Sequence, residues 1–343
     1  MEGISVIIPA YNASHTIGAC VESALSGEVK PLEVIVVDDC STDDTAAIVE
    51  TLSARHPHVV RLIRTPANAG PASTRNAGGA AARGTYYFFM DSDTEMMPDT
   101  LRHFLRRIPE ADAVSGIYHP EPLNGGAVPR YKAYLLAYLF DREGVFHHDV
   151  FIASSAGIRA EVFKALGGFN EHLPWGVDVE NEEFGHRIAE RHRLLMDPSI
   201  NVRHHFPGFG KLTRTYFNRV SLWMELFLRR LRFEKGGSAT MGIGLSAAAA
   251  AATIVTLPLA WIGWELALVP ALFFSGYLIG YAGYFAYVAR RRPSFLAAAV
   301  ALNYWFSVIL AVGAGYGTLR VLTGTGRLPA GRGEFHGLRS KLP

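Results

Sequence analysis

Cysteine is nearly absent from this chain: Cys20 and Cys40 are the only two among 343 residues. Two thiols cannot build a disulfide framework or a four-thiolate zinc site, and their scarcity fits a reducing compartment. Charge is scarce as well. Asp, Glu, Lys and Arg make up 19% of residues against 49% apolar, and the mean hydropathy is +0.15. That balance argues against intrinsic disorder and places some of the chain in lipid. The first residues, MEGISVIIPAYN, have no basic region, and their apolar run is too short for a secretory signal, so the leading part is expected to stay in the cytoplasm. Also missing are a Walker loop, a G-x-G-x-x-G fingerprint, zinc-ligand spacing and a nucleophilic triad.

The net charge of +2 hides an asymmetry. Residues 1–210 hold 18 Lys/Arg against 27 Asp/Glu, whereas residues 211–235 hold 7 against 2. In the basic stretch Leu212, Tyr216, Val220, Trp223, Phe227 and Leu231 recur at three- and four-residue steps among the arginines. A helix with that pattern is expected to lie in a membrane interface against anionic headgroups, not on a nucleic acid.

Uncharged runs fill the carboxyl third, at 236–264, 266–289 and 293–319, each beyond the roughly 20 residues that cross a hydrocarbon core. They predict about three transmembrane spans. Arg290, Arg291 and Arg292 mark a cytoplasmic loop by the positive-inside rule. Three full crossings would put the basic tail outside, so either the tail violates the charge bias or Gly313, Gly315 and Gly317 make the last span re-entrant. The division expected is a catalytic domain over 1–210, an interfacial helix over 211–235, membrane helices over 236–320 and a basic tail over 321–343.

Upstream, β-branched and aromatic runs at 4–8, 32–37, 59–63 and 86–90 predict buried parallel strands. Ser41 and Thr42 precede a helical stretch at 43–54 as caps. Alternating strand and helix implies an α/β domain with a mostly parallel sheet, whose ligands gather at the carboxyl ends of strands. Those ends are polar here: Pro9-Ala10-Tyr11-Asn12, Asp38-Asp39 and Asp91-Ser92-Asp93. Hard carboxylate oxygens suit Mg or Mn, ions that bridge substrate phosphates.

Four segments, VIIPAYN at 6–12, VIVVDDCSTDDT at 34–45, NAGPASTRNAG at 68–78 and FFMDSDTE at 88–95, resemble the family 2 glycosyltransferases in order and spacing. GIRAEVFKALGGFNE at 157–171 resembles that family's acceptor-side segment, and VENEEFGHRI at 179–188 its acidic helix. The resemblance implies a GT-A fold, Rossmann-like with a mostly parallel sheet, followed by membrane helices. It implies that Pro9, Tyr11, Asn12, Asp38 or Asp39, and Arg75 surround the base and ribose of a nucleotide diphosphate sugar, with Asp91 near the ribose. Asp93 would hold a divalent cation, Mn or Mg, assisted by Asp91. His204, which with His205 follows a predicted strand, is a further candidate ligand; adjacent strand residues face opposite ways, so at most one histidine reaches the site.

The acidic helix departs from the family's Glu-Asp pair, having Glu180-Asn181, and Asn cannot remove a proton. Glu180 and Glu183 share a helix face with Phe184 and Ile188 on the core side, and Asp178 lies just before. These three acids are the candidates for general base. A polyprenyl phosphate acceptor is already anionic and would need none, whereas a glycolipid hydroxyl would. The expected activity is inverting transfer of a sugar to a lipid-linked acceptor at the inner membrane, catalytic domain facing the cytoplasm. Two alternatives are a metal-dependent nucleotidyltransferase, whose glycine-rich start is missing, and a catalytically impaired membrane scaffold, suggested by Asn181.

Overall fold

The computed structural model describes residues 3–140, 144–173, 179–230 and 240–325. They form two compact units. Residues to Asn124, together with Phe140–His205, make the first; Gly125–Leu139 joins the residues from Phe206 onward in the second.

The first unit runs β1 (Ile4–Ala10), α1 (Ile17–Ser26), β2 (Glu33–Asp38), α2 (Thr45–Arg55), β3 (Val60–Arg64), α3 (Gly70–Ala81), β4 (Tyr86–Met90), β5 (Thr94–Met96), α4 (Thr100–Arg107) and β6 (Ala113–Tyr118). After α5 (Ala127–Phe140), which falls almost entirely in the second unit, come β7 (Phe146–His147), β8 (Ser155–Arg159), α6 (Ala160–Ala165), α7 (Val179–Arg191) and β9 (Leu194–His204). The strands join in one sheet, ordered β3-β2-β1-β4-β8-β6-β9-β5, with β7 also on β9. β3, β2, β1 and β4 are parallel neighbours, and β8 pairs antiparallel to both β4 and β6. The expected α/β class and all four predicted strands are present.

Alternation along the strands divides the core into two layers. Val6, Ile8, Val34, Val36, Phe88 and Met90 pack with Ile17, Val21, Leu101 and Phe104 on one face. Ile7, Tyr87 and Phe89 pack with Phe151, Phe163, Phe169 and Phe184 on the other. Register brings the carboxyl ends of β2, β1 and β4 side by side, since Ala10 faces Asp38 and Ile7 faces Phe89. The polar residues just past those ends therefore share one edge.

The loop between β2 and α2 differs from the expected cap. Ser41 and Thr42 turn instead to Asn12: its amide donates to Ser41 Oγ at 2.9 Å and its side-chain oxygen accepts from the Thr42 amide at 2.8 Å. Asp43 takes over the helix start, accepting from the Thr45 amide at 3.0 Å. Cys40 sits at φ 62°, the left-handed region that favours glycine.

The second unit adds α8 (Phe209–Arg230), α9 (Met241–Thr256), α10 (Leu268–Gly280), α11 (Ala282–Arg291) and α12 (Leu296–Leu322) to α5. Two stretches, Met241–Trp261 and Pro293–Leu322, are long and apolar enough to cross a membrane. The apolar run at 266–289 is not one straight helix, because α10 and α11 meet at a 60° bend. Glycines flank that break: Gly280 lets Ser246 of α9 approach, and Gly283 lets Tyr138 of α5 approach. A third span exists only if this bent pair makes one crossing.

The glycine segment at 313–317, by contrast, stays helical within α12. No re-entrant break occurs there, because two of its glycines serve helix packing. A Cβ on Gly313 would lie 2.9 Å from the carbonyl oxygen of Phe217, and one on Gly317 would lie 2.2 Å from that of Ser221. This is the small-xxx-small close approach of apolar helices. α8 is thereby partly covered: Leu212 and Tyr216, of the face expected to meet headgroups, are buried within the unit, as are Ser221 and Leu222 beside it. At its far end, buried Glu225 pairs with Arg320 of α12 at 3.1 Å.

Candidate active site

The D-x-D turn lies between β4 and β5, and β5 pairs antiparallel with β9, placing Thr94 opposite His204. The Asp93 carbonyl accepts from the His205 amide at 2.9 Å, and His204 Nε2 lies 3.5 Å from Asp93 Oδ1. One ligand atom each from Asp91, Asp93 and His204 falls within 4.8 Å of the others. His205 is exposed, so the alternation along β9 delivers one histidine of the pair.

Two carboxylate oxygens and an imidazole nitrogen fit a Mn- or Mg-type ion. The electrostatics fit too. Burial pushes the Asp93 carboxyl above the usual carboxylate range, with His204 opposing and the Asp91 charge reinforcing. A divalent cation would relieve that accumulation of negative charge.

Arg75 projects from α3 into this cluster and is 4% exposed. Its guanidinium donates to Asp91 Oδ1 at 2.9 Å and to Glu180 Oε1 at 3.2 Å, with its carbon 5.5 Å from the Phe169 ring centre. Burial alone would lower its pKa, but the two carboxylates outweigh that and raise it. Arg75 was expected beside the nucleotide; the structure shows it bridging two acids of the chain. Glu180 is buried in that pair, and Glu183 is held by Arg187 at 2.7 Å. Phe184 and Ile188 are fully buried, the face predicted for them. Asn181 leaves its side-chain oxygen buried and without a hydrogen bond. Asp178, the third base candidate, lies outside the described residues.

Asp38 and Asp39 are both buried but differ in use. Asp39 accepts from Thr65 Oγ1, the Ala69 amide and the Gly70 amide at 2.8–3.0 Å, so it caps α3. Asp38 keeps one carboxylate oxygen without a partner. Tyr11 is 51% exposed at the end of β1, open to stack on a flat ring. Asn12, by contrast, is occupied in joining the two loops. Pro9 is buried opposite Val37, beyond the last β1–β4 pair, so its missing N–H costs no bond to β4.

Asn76 was not singled out by sequence reasoning. Its side chain donates to the Phe169 carbonyl at 2.9 Å and accepts from the Phe169 amide at 2.8 Å. Gly168 at φ +73° allows that clamp, since a Cβ there would lie 2.4 Å from Asn76 Oδ1. The signal was present in the Arg75-Asn76 and Gly167-Gly168-Phe169-Asn170 strings, but only their meeting in space explains them.

Comparison with known proteins agrees with this geometry. The model for "Glycosyl transferase family 2" matches residues 5–167. The succinoglycan biosynthesis protein ExoO of Rhizobium meliloti is 43% identical over 110 residues, 32% of this chain and 31% of that protein. WfaP of Escherichia coli, a UDP-Glc:alpha-D-GlcNAc-diphosphoundecaprenol beta-1,3-glucosyltransferase, is 33% identical over 161 residues, 42% of this chain and 63% of its own. The chain thus spans about a third of the first relative and under two thirds of the second. A mannosyltransferase from Pyrobaculum calidifontis, solved with GDP-Man and Mn2+, superposes at TM-score 0.58 and 19% identity, covering 94% of this chain and 88% of that one. At that identity the likeness shows the fold, a GT-A sheet. Over residues 5–167 the chain is similar to glycosyltransferase family 2.

Proposed function

We propose that the chain transfers a sugar from a nucleotide diphosphate sugar to a lipid-linked acceptor, with inversion at the anomeric carbon. The convergence of Asp91, Asp93 and His204 at the edge that also presents Tyr11 and Asp38 carries the donor half of this reading. Tyr11 offers a platform for the base, and Asp38, buried with one carboxylate oxygen lacking a hydrogen bond, has acceptor capacity left for a ring N–H. A divalent cation, Mn or Mg, held by Asp91, Asp93 and His204 would neutralise the diphosphate leaving group. Arg75 and Glu180 keep Asp91 oriented toward it.

The acceptor half rests on the second unit's apolar helices and on WfaP, whose name specifies a diphosphoundecaprenol-linked sugar. A polyprenyl phosphate or a glycolipid fits that description. Glu180 and Glu183 are each paired with an arginine, which favours an acceptor oxygen that arrives ionised. Mixing the purified protein with nucleotide sugars, Mn2+ and membrane lipid extract should release nucleoside diphosphate and yield a heavier glycolipid by mass spectrometry. Release of pyrophosphate would identify a nucleotidyltransferase instead, and release of neither a scaffold.

We further propose a multi-pass plasma-membrane protein with Arg290, Arg291 and Arg292 on the cytoplasmic side, the side of the catalytic domain. In support, all three are exposed at the end of α11, while Trp261 and Trp264 are exposed in the turn between α9 and α10, as interfacial aromatics are. A cysteine replacing Arg291 should resist an impermeant thiol reagent added outside intact cells and react after permeabilisation. Labelling before permeabilisation would reverse the orientation.

A further inference from the structure

Glu180 was expected to remove a proton and Arg75 to touch the donor, yet they bind each other in the interior of the first unit. Arg75 stands between Asp91, 31% exposed at its side chain, and Glu180, 5% exposed. Its Nε is buried with no hydrogen-bond partner, so the guanidinium spends its two terminal nitrogens on the two acids. Asp91 is in turn one of three groups whose ligand atoms converge. A chain of contacts thus runs from the acidic helix α7 to the D-x-D turn.

Charge accounting shows what the bridge does. Asp91, Asp93 and Glu180 bring three negative charges against the single positive charge of Arg75, leaving a deficit that one divalent cation cancels. Without Arg75, Asp91 and Glu180 would lose the cation they share, and Asp91 would lose the bond that fixes its rotamer. Lysine could not substitute, because a point ammonium lacks the planar fork that reaches two acids at once.

We infer that Arg75 is a positioning residue that holds Asp91 in its cation-binding orientation through an ion-pair relay anchored on Glu180, so that Glu180 acts on donor and metal binding, not as the base. This rests on the assignment of Asp91 to the donor site. It predicts that changing an acid on the acidic helix α7 weakens binding of a nucleotide with no acceptor present.

The test is calorimetric binding of Mn2+ with UDP, and separately with GDP, to the full-length protein in detergent. Arg75→Met should weaken the nucleotide–Mn2+ complex about 10–100-fold, the range seen when a group supporting a metal ligand is lost, and Arg75→Lys should not restore it. Glu180→Gln should weaken it several-fold in the wild-type background and by clearly less in Arg75→Met, because its effect on Asp91 passes through Arg75. Full binding in Glu180→Gln with only turnover reduced would overturn the inference and return Glu180 to the role of base. Additive losses in the double variant would overturn it too. Should Arg75→Met fail to fold, Glu180→Gln, which keeps the side chain's shape, still decides by its binding constant. Wild-type protein that binds neither nucleotide with Mn2+ would instead defeat the donor-site assignment itself, an outcome distinct from wild-type binding that the variants leave intact.

Discussion

Alanine at Asp93 is expected to reduce metal-stimulated turnover about 10³-fold, the scale on which loss of one charge-stabilising group at a reacting centre acts. The expectation rests on position. Asp93 is the acid of the turn nearest His204, with its carboxyl raised by burial and further raised by Asp91. Such a carboxylate adds little to the fold of the free protein, since it faces a like charge. Asp93→Ala should therefore melt at or above the wild-type temperature without cation while losing the rise in melting temperature that Mn2+ gives the wild type. Turnover against Mn2+ concentration, with thermal melts at each, measures both. Wild-type activity in the variant would remove Asp93 from metal binding.

The parts of this molecule that were legible in the sequence are those set by local periodicity. Three of the four parallel strands, β1, β2 and β4, stand out because strands buried on both faces read as apolar runs, and Asp91-Ser92-Asp93 stands at the end of one of them. That the ring of His204, and not that of His205, approaches the Asp93 carboxylate was open in sequence. It was decided by the register of β9 on β5, which places His204 opposite Thr94. The partners of the acids were hidden for a different reason. Arg75 and Glu180 are 105 residues apart, and no spacing rule reports a bridge between helices that meet only in the folded domain. The same holds for Asp39, whose neighbours in sequence suggested a ligand group but whose oxygens accept from Thr65, Ala69 and Gly70. In the second unit the apolar runs were visible by composition, but composition does not say where a helix bends. The 60° break fell in the middle run, and the glycines of the last run belong to a helix contact.

That contact carries the second large effect, because three glycines two residues apart on α12 meet different surroundings. Gly313 and Gly317 face the backbone of α8, where Ser221 Oγ also donates to the Gly313 carbonyl at 3.1 Å. Gly315 faces open space. Any side chain at 317 must displace the Ser221 carbonyl, and backbone cannot swing aside as a side-chain tip does. Gly317→Leu is thus expected to separate α8 from α12, exposing Glu225 without its Arg320 partner as the packing is lost. Overpacking alone costs about 1–3 kcal/mol, and loss of the Glu225–Arg320 pair adds to it. Gly315→Leu carries the same loss of flexibility and the same added volume but meets no atom. Thermal melts and gel filtration in detergent should show Gly317→Leu melting far below wild type or aggregating, and Gly315→Leu within a few degrees of it. Equal melting of the two variants would mean that the glycines do not seat α8, and that the helix is held to α12 by its aromatic contacts, Phe217 with Tyr316 and Phe209 with Trp305.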